Sequence, residues 1–307
     1  MTCNATILQQ ELRRIKSQQI GGNESSSTND GICEQTCYPL RPVGVLQSCF
    51  TNRNGTPRQP LLVQSARAVV TLRRELSEEF FDGLKNYSHC WLLYIFHKNT
   101  DIQKLWDGSF QGVKGKIRVP RLDGARVGAF ATRSPHRPCP IGLSVAKILE
   151  VSGRRLVVGG ADVVDGSPVL DIKPYVPFCD SVPDAQTPVW VDKKSINDPL
   201  FTATVDISPR VESELEACWK QRGSRSMFTC FKEYAGFVRE ALSRDIRSVT
   251  QRVKVPNRKG KGFELERMYK KDGNSAIWHV VLDGIDIGYN VLEKEERVIL
   301  ESCSILE

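Results

Sequence analysis

Short alternating segments of apolar and polar residues dominate the chain from Val43 onward. Val43–Ser48, Ala66–Leu72, Cys90–Phe96, Ala125–Thr132, Ser144–Val151, Arg154–Gly159 and Val169–Ile172 are rich in Val, Ile, Phe and Thr and are set off by turn residues and charges. This is the signature of half-buried strands. Among them only Ser77–Leu84 has the spacing of a helix. Strands this frequent, with so little helix between them, favour an antiparallel or mixed barrel over a doubly wound sheet. No Gly-x-Gly-x-x-Gly follows a first strand, which disfavours a Rossmann-type nucleotide fold. Beyond a connector bearing Pro188 and Pro199, Pro209–Trp219 and Met227–Leu242 read as helices. Alternation then returns through Phe263–Tyr269, Ala276–Leu282, Asp286–Leu292 and Glu296–Leu300. Upstream, Leu8, Leu12 and Ile15 place a short amphipathic helix over Thr6–Gln18, followed by a flexible polar linker from Gly21 to Gly31.

The expected fold is therefore α+β and mainly β. A flexible N-terminal extension (1–40) precedes a single-sheeted antiparallel or mixed β-barrel (41–186), a connector (187–208) and a smaller α+β C-terminal domain (209–307).

Composition narrows the setting. The 307 residues, 40% hydrophobic and 26% charged, suit a globular protein with a core large enough to need no staples. No apolar run is long enough to cross a bilayer, and Gln9, Gln10, Glu11, Arg13, Arg14 and Lys16 break the N-terminal stretch, so neither membrane nor secretory targeting is expected. A cytoplasmic setting follows, in which the ten scattered cysteines stay reduced. Cys33 and Cys37 are close, but no second Cys/His pair at ligand spacing accompanies them, so no metal site is expected. A net charge of +7 fits a polyanionic partner.

The chemistry concentrates in two blocks. Arg133-Ser134-Pro135-His136-Arg137-Pro138-Cys139-Pro140 combines three prolines with two guanidinium groups, which makes a stiff cationic loop. Asp165-Gly166-Ser167-Pro168 is a turn that leads into Val169-Leu170-Asp171-Ile172-Lys173-Pro174-Tyr175. Together with Pro42-Val43-Gly44-Val45-Leu46, Gly55-Thr56-Pro57-Arg58-Gln59-Pro60, the run Gly83–Lys98, Pro120-Arg121-Leu122-Asp123-Gly124 and Gly128–Arg133, these blocks resemble the TsaA/TrmO family, most closely its animal-type members. The likeness runs from about Pro42 to Asp180. Members of that family are tRNA methyltransferases that use S-adenosylmethionine to methylate the exocyclic N6 amine of a threonylcarbamoylated adenosine beside the anticodon.

The resemblance implies a β-barrel, S-adenosylmethionine as cofactor, tRNA as partner and a homodimer. It also implies cofactor contacts from Pro57, Arg58, Gln59, His97, Lys98, Arg133, Leu143, Asp165, Gly166, Ser167 and Pro168. The residue types suit that ligand: Arg133 or Lys98 can pair with its carboxylate, and Asp165 can accept from ribose or amine. Taken alone, His97 reads as a structural histidine at the end of an apolar strand, and Asp165 as a turn residue. Asp171 is the candidate proton acceptor, with the alternative of a purely structural ion pair. Arg137, Lys173 and Tyr175 are candidates for RNA or the modified base, as are Asp245 and Arg247 in the C-terminal half.

Departures from the family pattern keep other readings open. Cys139 stands where members usually have Asn, and Ser167 where they have Thr. A downstream Asp-Pro-Arg-Pro/Ser-Ala/Val-Tyr motif is here Asp245-Ile246-Arg247-Ser248-Val249-Thr250. A basic stretch from Arg252 to Lys271 with Tyr269 could stack bases and contact phosphates, or could be a solvated ribbon. The alternatives are a non-catalytic RNA-binding module and a methyltransferase with a different acceptor.

Overall fold

The computed structural model describes residues 40–99, 101, 114–119, 122, 125–191, 203–244, 269–272, 275–292 and 296–306. These residues belong to one unit, Leu40–Glu307. The N-terminal helix and linker, Asp245, Arg247 and most of the basic stretch lie outside the described residues.

Six strands close a barrel in the order β1 (Gly44–Ser48), β2 (Arg67–Leu72), β7 (Arg155–Gly159), β6 (Ile141–Ser152), β3 (His89–Ile95) and β8 (Ser167–Pro174). Every pairing is antiparallel, including the closing pair β8–β1. Alternation decides which side chains fill it: Cys90, Leu92 and Tyr94 of β3 are buried while Trp91 and Leu93 are not. Leu46, Val70, Leu92, Ala146, Leu156, Val158 and Val169, all buried, make its core. The expected mainly-β fold with an antiparallel barrel is thus the fold observed.

Two expected elements differ. The segment Ala125–Thr132 is not a barrel strand: Arg126–Gly128 (β5) pairs with Lys116–Arg118 (β4) as a separate ribbon, and Ala129–Ala131 is a 3₁₀ turn. Ser77–Leu84 is not one helix but two 3₁₀ turns, Glu78–Phe81 and Leu84–Asn86. Gly83 between them takes φ 78°, a left-handed value that ends a right-handed helix.

The C-terminal half is a five-stranded sheet ordered β10 (Tyr269–Asp272), β11 (Ser275–Leu282), β12 (Ile285–Leu292), β13 (Arg297–Ile305), β9 (Thr204–Ile207). Its last pair is parallel, and β9 falls in the stretch read as connector. Helix α1 (Pro209–Arg222) starts on a Ser208 cap with Pro209 at its first position. Helix α2 (Phe231–Leu242) starts four residues later than the sequence suggests. The Ser226 hydroxyl and Met227 amide are instead engaged by the buried Asp283 carboxylate, Ser226 Oγ at 2.6 Å. Both helices cover the sheet through Val211, Leu215, Tyr234, Phe237 and Val238. This second core also takes in Cys49, Phe50, Val63 and Ala66 from beside the barrel, and Phe50 bridges to Leu282.

Candidate functional site

Antiparallel closure sends every barrel connection to one of two rims. One rim receives the end of β1, the end of β3 and the end of β7, so the loops 49–66, 96–140 and 160–166 meet there. Those loops carry Pro57, Arg58, Gln59, His97, Lys98, Arg133 and Asp165, with Gly166, Ser167 and Pro168 at the turn into β8.

At this rim β1 fixes the turn before β8. Ser48 N donates to Asp165 Oδ1 at 2.8 Å, Asp165 N to Phe50 O at 2.9 Å and Gly166 N to Leu46 O at 2.9 Å. Asp165 is therefore locked by its backbone and one carboxylate oxygen, which leaves Oδ2 as an acceptor. Ser167 Oγ donates to Val164 O at 2.7 Å and lies 3.3 Å from His97 Nδ1. A hydroxyl has one proton, so Nδ1 must donate to Ser167 and Nε2 is left with its lone pair. Burial first, then the neighbouring Lys98 charge, pull the His97 pKa below its ordinary value, so the ring is neutral at physiological pH. His97 Nε2 faces Gly166, where an added Cβ would stand 3.7 Å away.

Two cations stand on the loops of the same rim. Lys98 Nζ donates to Thr51 O at 2.7 Å, and Arg133 NH1 donates to Gln59 Oε1 at 3.1 Å. The loop carrying Pro57, Arg58 and Gln59 is held against the second core, for a Cβ at Gly55 would meet Val280 Cγ2 at 2.4 Å. Pro168 is half-buried opposite Val45.

Other expected residues stand apart. Leu143 is exposed on the outer face of β6, opposite Leu93. Arg137 turns back on its own loop, donating to Thr132 O at 3.0 Å and Ser134 O at 3.3 Å, with its guanidinium 5.9 Å from the Phe130 ring centre. These contacts brace the loop. Asp171 lies four residues along β8 from Ser167, roughly 13 Å at strand rise. A bulge between Leu93 and Tyr94 accompanies its outward turn, and it pairs with Lys173 at 3.0 Å while accepting from Ile172 N. It lines a separate cavity of about 510 Å³ with Phe80, Phe81 and Tyr87. The expected proton acceptor is thus a surface ion pair away from the cluster, and Lys173 belongs to that pair. Tyr175 packs on Trp91, ring centres 5.5 Å apart, beyond the far end of β8.

One residue at the rim escaped the sequence reading. Asp162 accepts from Ser144 Oγ at 2.5 Å, and Ser144 Oγ lies 3.2 Å from Tyr94 OH. Burial pushes the Asp162 carboxyl up to about 6, against the lowering pull of Ser144 and, at longer range, Arg133. A polar residue between the buried Ala161 and Val163 was the available signal.

A closed antiparallel barrel with a hydrogen-bonded acceptor cluster at one rim, whose loops also carry two cations, defines a binding barrel for a small polar ligand. Residues 45–181 match the family model described as tRNA-methyltransferase O N-terminal domain. The Escherichia coli tRNA (adenine(37)-N6)-methyltransferase is 34% identical over 270 residues, covering 85% of this chain and 99% of that protein. The human protein of the same name is 43% identical over 151 residues, 48% of this chain and 32% of its own length. A crystal structure of TrmO from Pseudomonas aeruginosa superposes with TM-score 0.60 at 26% identity, over 88% of this chain and 99% of that one. The chain belongs to the TrmO family. It spans about a third of the length of the mammalian relatives it matches.

Proposed function

We propose that this protein transfers a methyl group from S-adenosylmethionine to the N6 amine of the adenosine at position 37 of tRNA, with the threonylcarbamoylated base as preferred acceptor. The observation that carries this reading is the end-to-end match to the Escherichia coli enzyme, which runs through both the barrel and the C-terminal half. The rim residues fit the cofactor by the chemistry of their free groups. Arg133 offers a cation to a carboxylate, Asp165 Oδ2 an acceptor for ribose hydroxyls, and neutral His97 an Nε2 acceptor for an amine. When bound, S-adenosylmethionine supplies an electrophilic methyl on a sulfonium. The chain's part is to orient donor and acceptor and to exclude water, which an in-line displacement chiefly requires. Asp171, committed to Lys173, is left out of that chemistry.

On the same reading the protein works in the cytoplasm as a homodimer. The net charge of +7 assists tRNA binding. Among the described residues no helix is long and apolar enough to cross a membrane.

The test is transfer of labelled methyl from S-adenosylmethionine to an anticodon stem-loop with and without the threonylcarbamoyl group. Label confined to the modified RNA is expected. Salt-dependent binding of both RNAs without label would replace the enzyme by a non-catalytic RNA-binding module.

A further inference from the structure

The loop 49–66 carries Pro57, Arg58 and Gln59 to the rim, yet much of its length is held from the other half of the chain. Its two ends are sealed into the C-terminal core. Asp283 N donates to Cys49 O at 2.7 Å, and Val63 and Ala66 are buried in the cluster built by the two helices and the five-stranded sheet. Between those two buried residues the loop meets α2 directly. Gln64 N donates to Glu240 Oε1 at 2.7 Å and Ser65 N to Glu240 Oε2 at 2.9 Å, and the Ser65 hydroxyl donates to the same Oε2. Four residues further on, Arg244 Nε donates to Leu62 O at 3.2 Å.

Glu240 grips from a fixed platform. It lies in the last turn of α2, a helix anchored in the second core by Tyr234, Phe237, Val238, Ala241 and Leu242. A carboxylate at the C-terminal end of a helix is opposed by the helix dipole, and three donors from one short stretch of loop offset that opposition. The loop itself needs holding. Leu61, two residues beyond Gln59, has φ 62°, a left-handed value that a β-carbon disfavours and that surrounding contacts must enforce. Its amide donates to Gly160 O at 2.8 Å, and its Cδ2 lies 2.8 Å from where a Cβ on Gly160 would stand. Leu61 thus stands between the run 57–59 and the two residues that Glu240 grips.

We propose that Glu240 is a positioning residue for the cofactor loop: by gripping Gln64 and Ser65 it keeps Leu61 in its left-handed turn and holds Arg58 and Gln59 at the rim. Gln59 Oε1 in turn accepts from Arg133 NH1 at 3.1 Å, so the grip of α2 reaches both sides of the site. Without the carboxylate, two amides and a hydroxyl lose their acceptor and Leu61 relaxes to negative φ. The loop must then be ordered again at each binding event, at the expense of affinity. The inference rests on the methyl-donor reading above, in which the run 57–59 contacts S-adenosylmethionine.

The experiment is calorimetric titration of the full chain with S-adenosylmethionine for wild type, Glu240→Gln, Gln59→Ala and the double variant, with thermal denaturation of each in the absence of ligand. Glu240→Gln keeps the shape of the side chain and one of its two acceptor oxygens. It is expected to weaken binding about tenfold, the cost of ordering one or two side chains. Gln59→Ala should weaken binding as well, and in the double variant the two losses should fall short of multiplying, because both act through the same loop. Ser65→Ala, which removes one donor from the loop and leaves α2 untouched, should shift affinity in the same direction and decides the matter if Glu240→Gln does not fold. Unchanged affinity in Glu240→Gln, with or without a fall in melting temperature, makes the carboxylate a staple between the two halves and overturns the positioning role. Losses that multiply in the double variant overturn it too, and both results leave the cofactor reading intact. Absence of binding by wild type overturns both.

Discussion

Asp162 in its charged form costs the fold stability. Its pKa rises from 3.8 when exposed to about 6 in the folded chain, so between those values the folded state binds more protons than the unfolded one. The group's contribution is then fully present below pH 3.8 and is lost as pH rises through 6. Asp162→Asn keeps an acceptor for Ser144 without the charge. It is expected to be more stable than wild type at pH 8, by on the order of 3 kcal/mol, with the gap closing as the pH is lowered toward 4. Thermal denaturation across that range checks it, and a gap independent of pH would contradict the buried carboxylate. The sequence hid it because a lone Asp three positions before an Asp-Gly turn looks like part of the turn. Asp165, inside the turn motif, was legible; its partner Ser48, at the end of an ordinary strand, was not.

Elements were legible where a single rule governs them. Strands β1, β2, β3 and β7 fall within a residue or two of the segments read as strands; in β1 and β3 burial largely alternates along the strand, as the pattern implies. The apolar run Ala125–Thr132 misled because three residues of ribbon and a 3₁₀ turn present the same composition as a strand. Ser77–Leu84 misled because two tight turns of three or four residues mimic helical spacing until Gly83 reverses the backbone. At the site, the three loops were legible as motifs. What no motif reveals is that β8 carries Asp171 away from the rim that its sequence neighbour Ser167 occupies. A prediction at this scale concerns the β3–β6 pairing. Gly142 is the residue over which Tyr94 lies, and Gly142→Ala would place a methyl within 2.3 Å of that ring. The ring must give way and break its contact with Ser144. We expect a loss of roughly 1–3 kcal/mol by urea denaturation, the usual penalty of overpacking, with weakened binding of S-adenosylmethionine. Wild-type values for both would show that the strand pair relaxes freely.

At the scale of the whole molecule, the barrel and the C-terminal sheet each have a core, yet four residues flanking β1 and β2 belong to the C-terminal one. The human relative matches over 151 residues, while the Escherichia coli relative matches over 270. Phe50 is where the two meet: fully buried in the second core, its ring packs at a tilt 5.6 Å from that of Phe237 and its backbone bridges to Leu282, while its carbonyl accepts the amide of Asp165. Loop amides ordinarily exchange with solvent through small local openings. The amide proton of Asp165 is held by a carbonyl that can itself move only if Phe50 leaves a core built by two helices and a sheet nearly two hundred residues further along the chain. Its deuterium uptake should track global unfolding, as slow as that of the central strands, and should quicken together with the amides of α2 when denaturant is added. Through that one proton, the timescale on which a binding loop could open is set by the stability of the opposite half of the molecule.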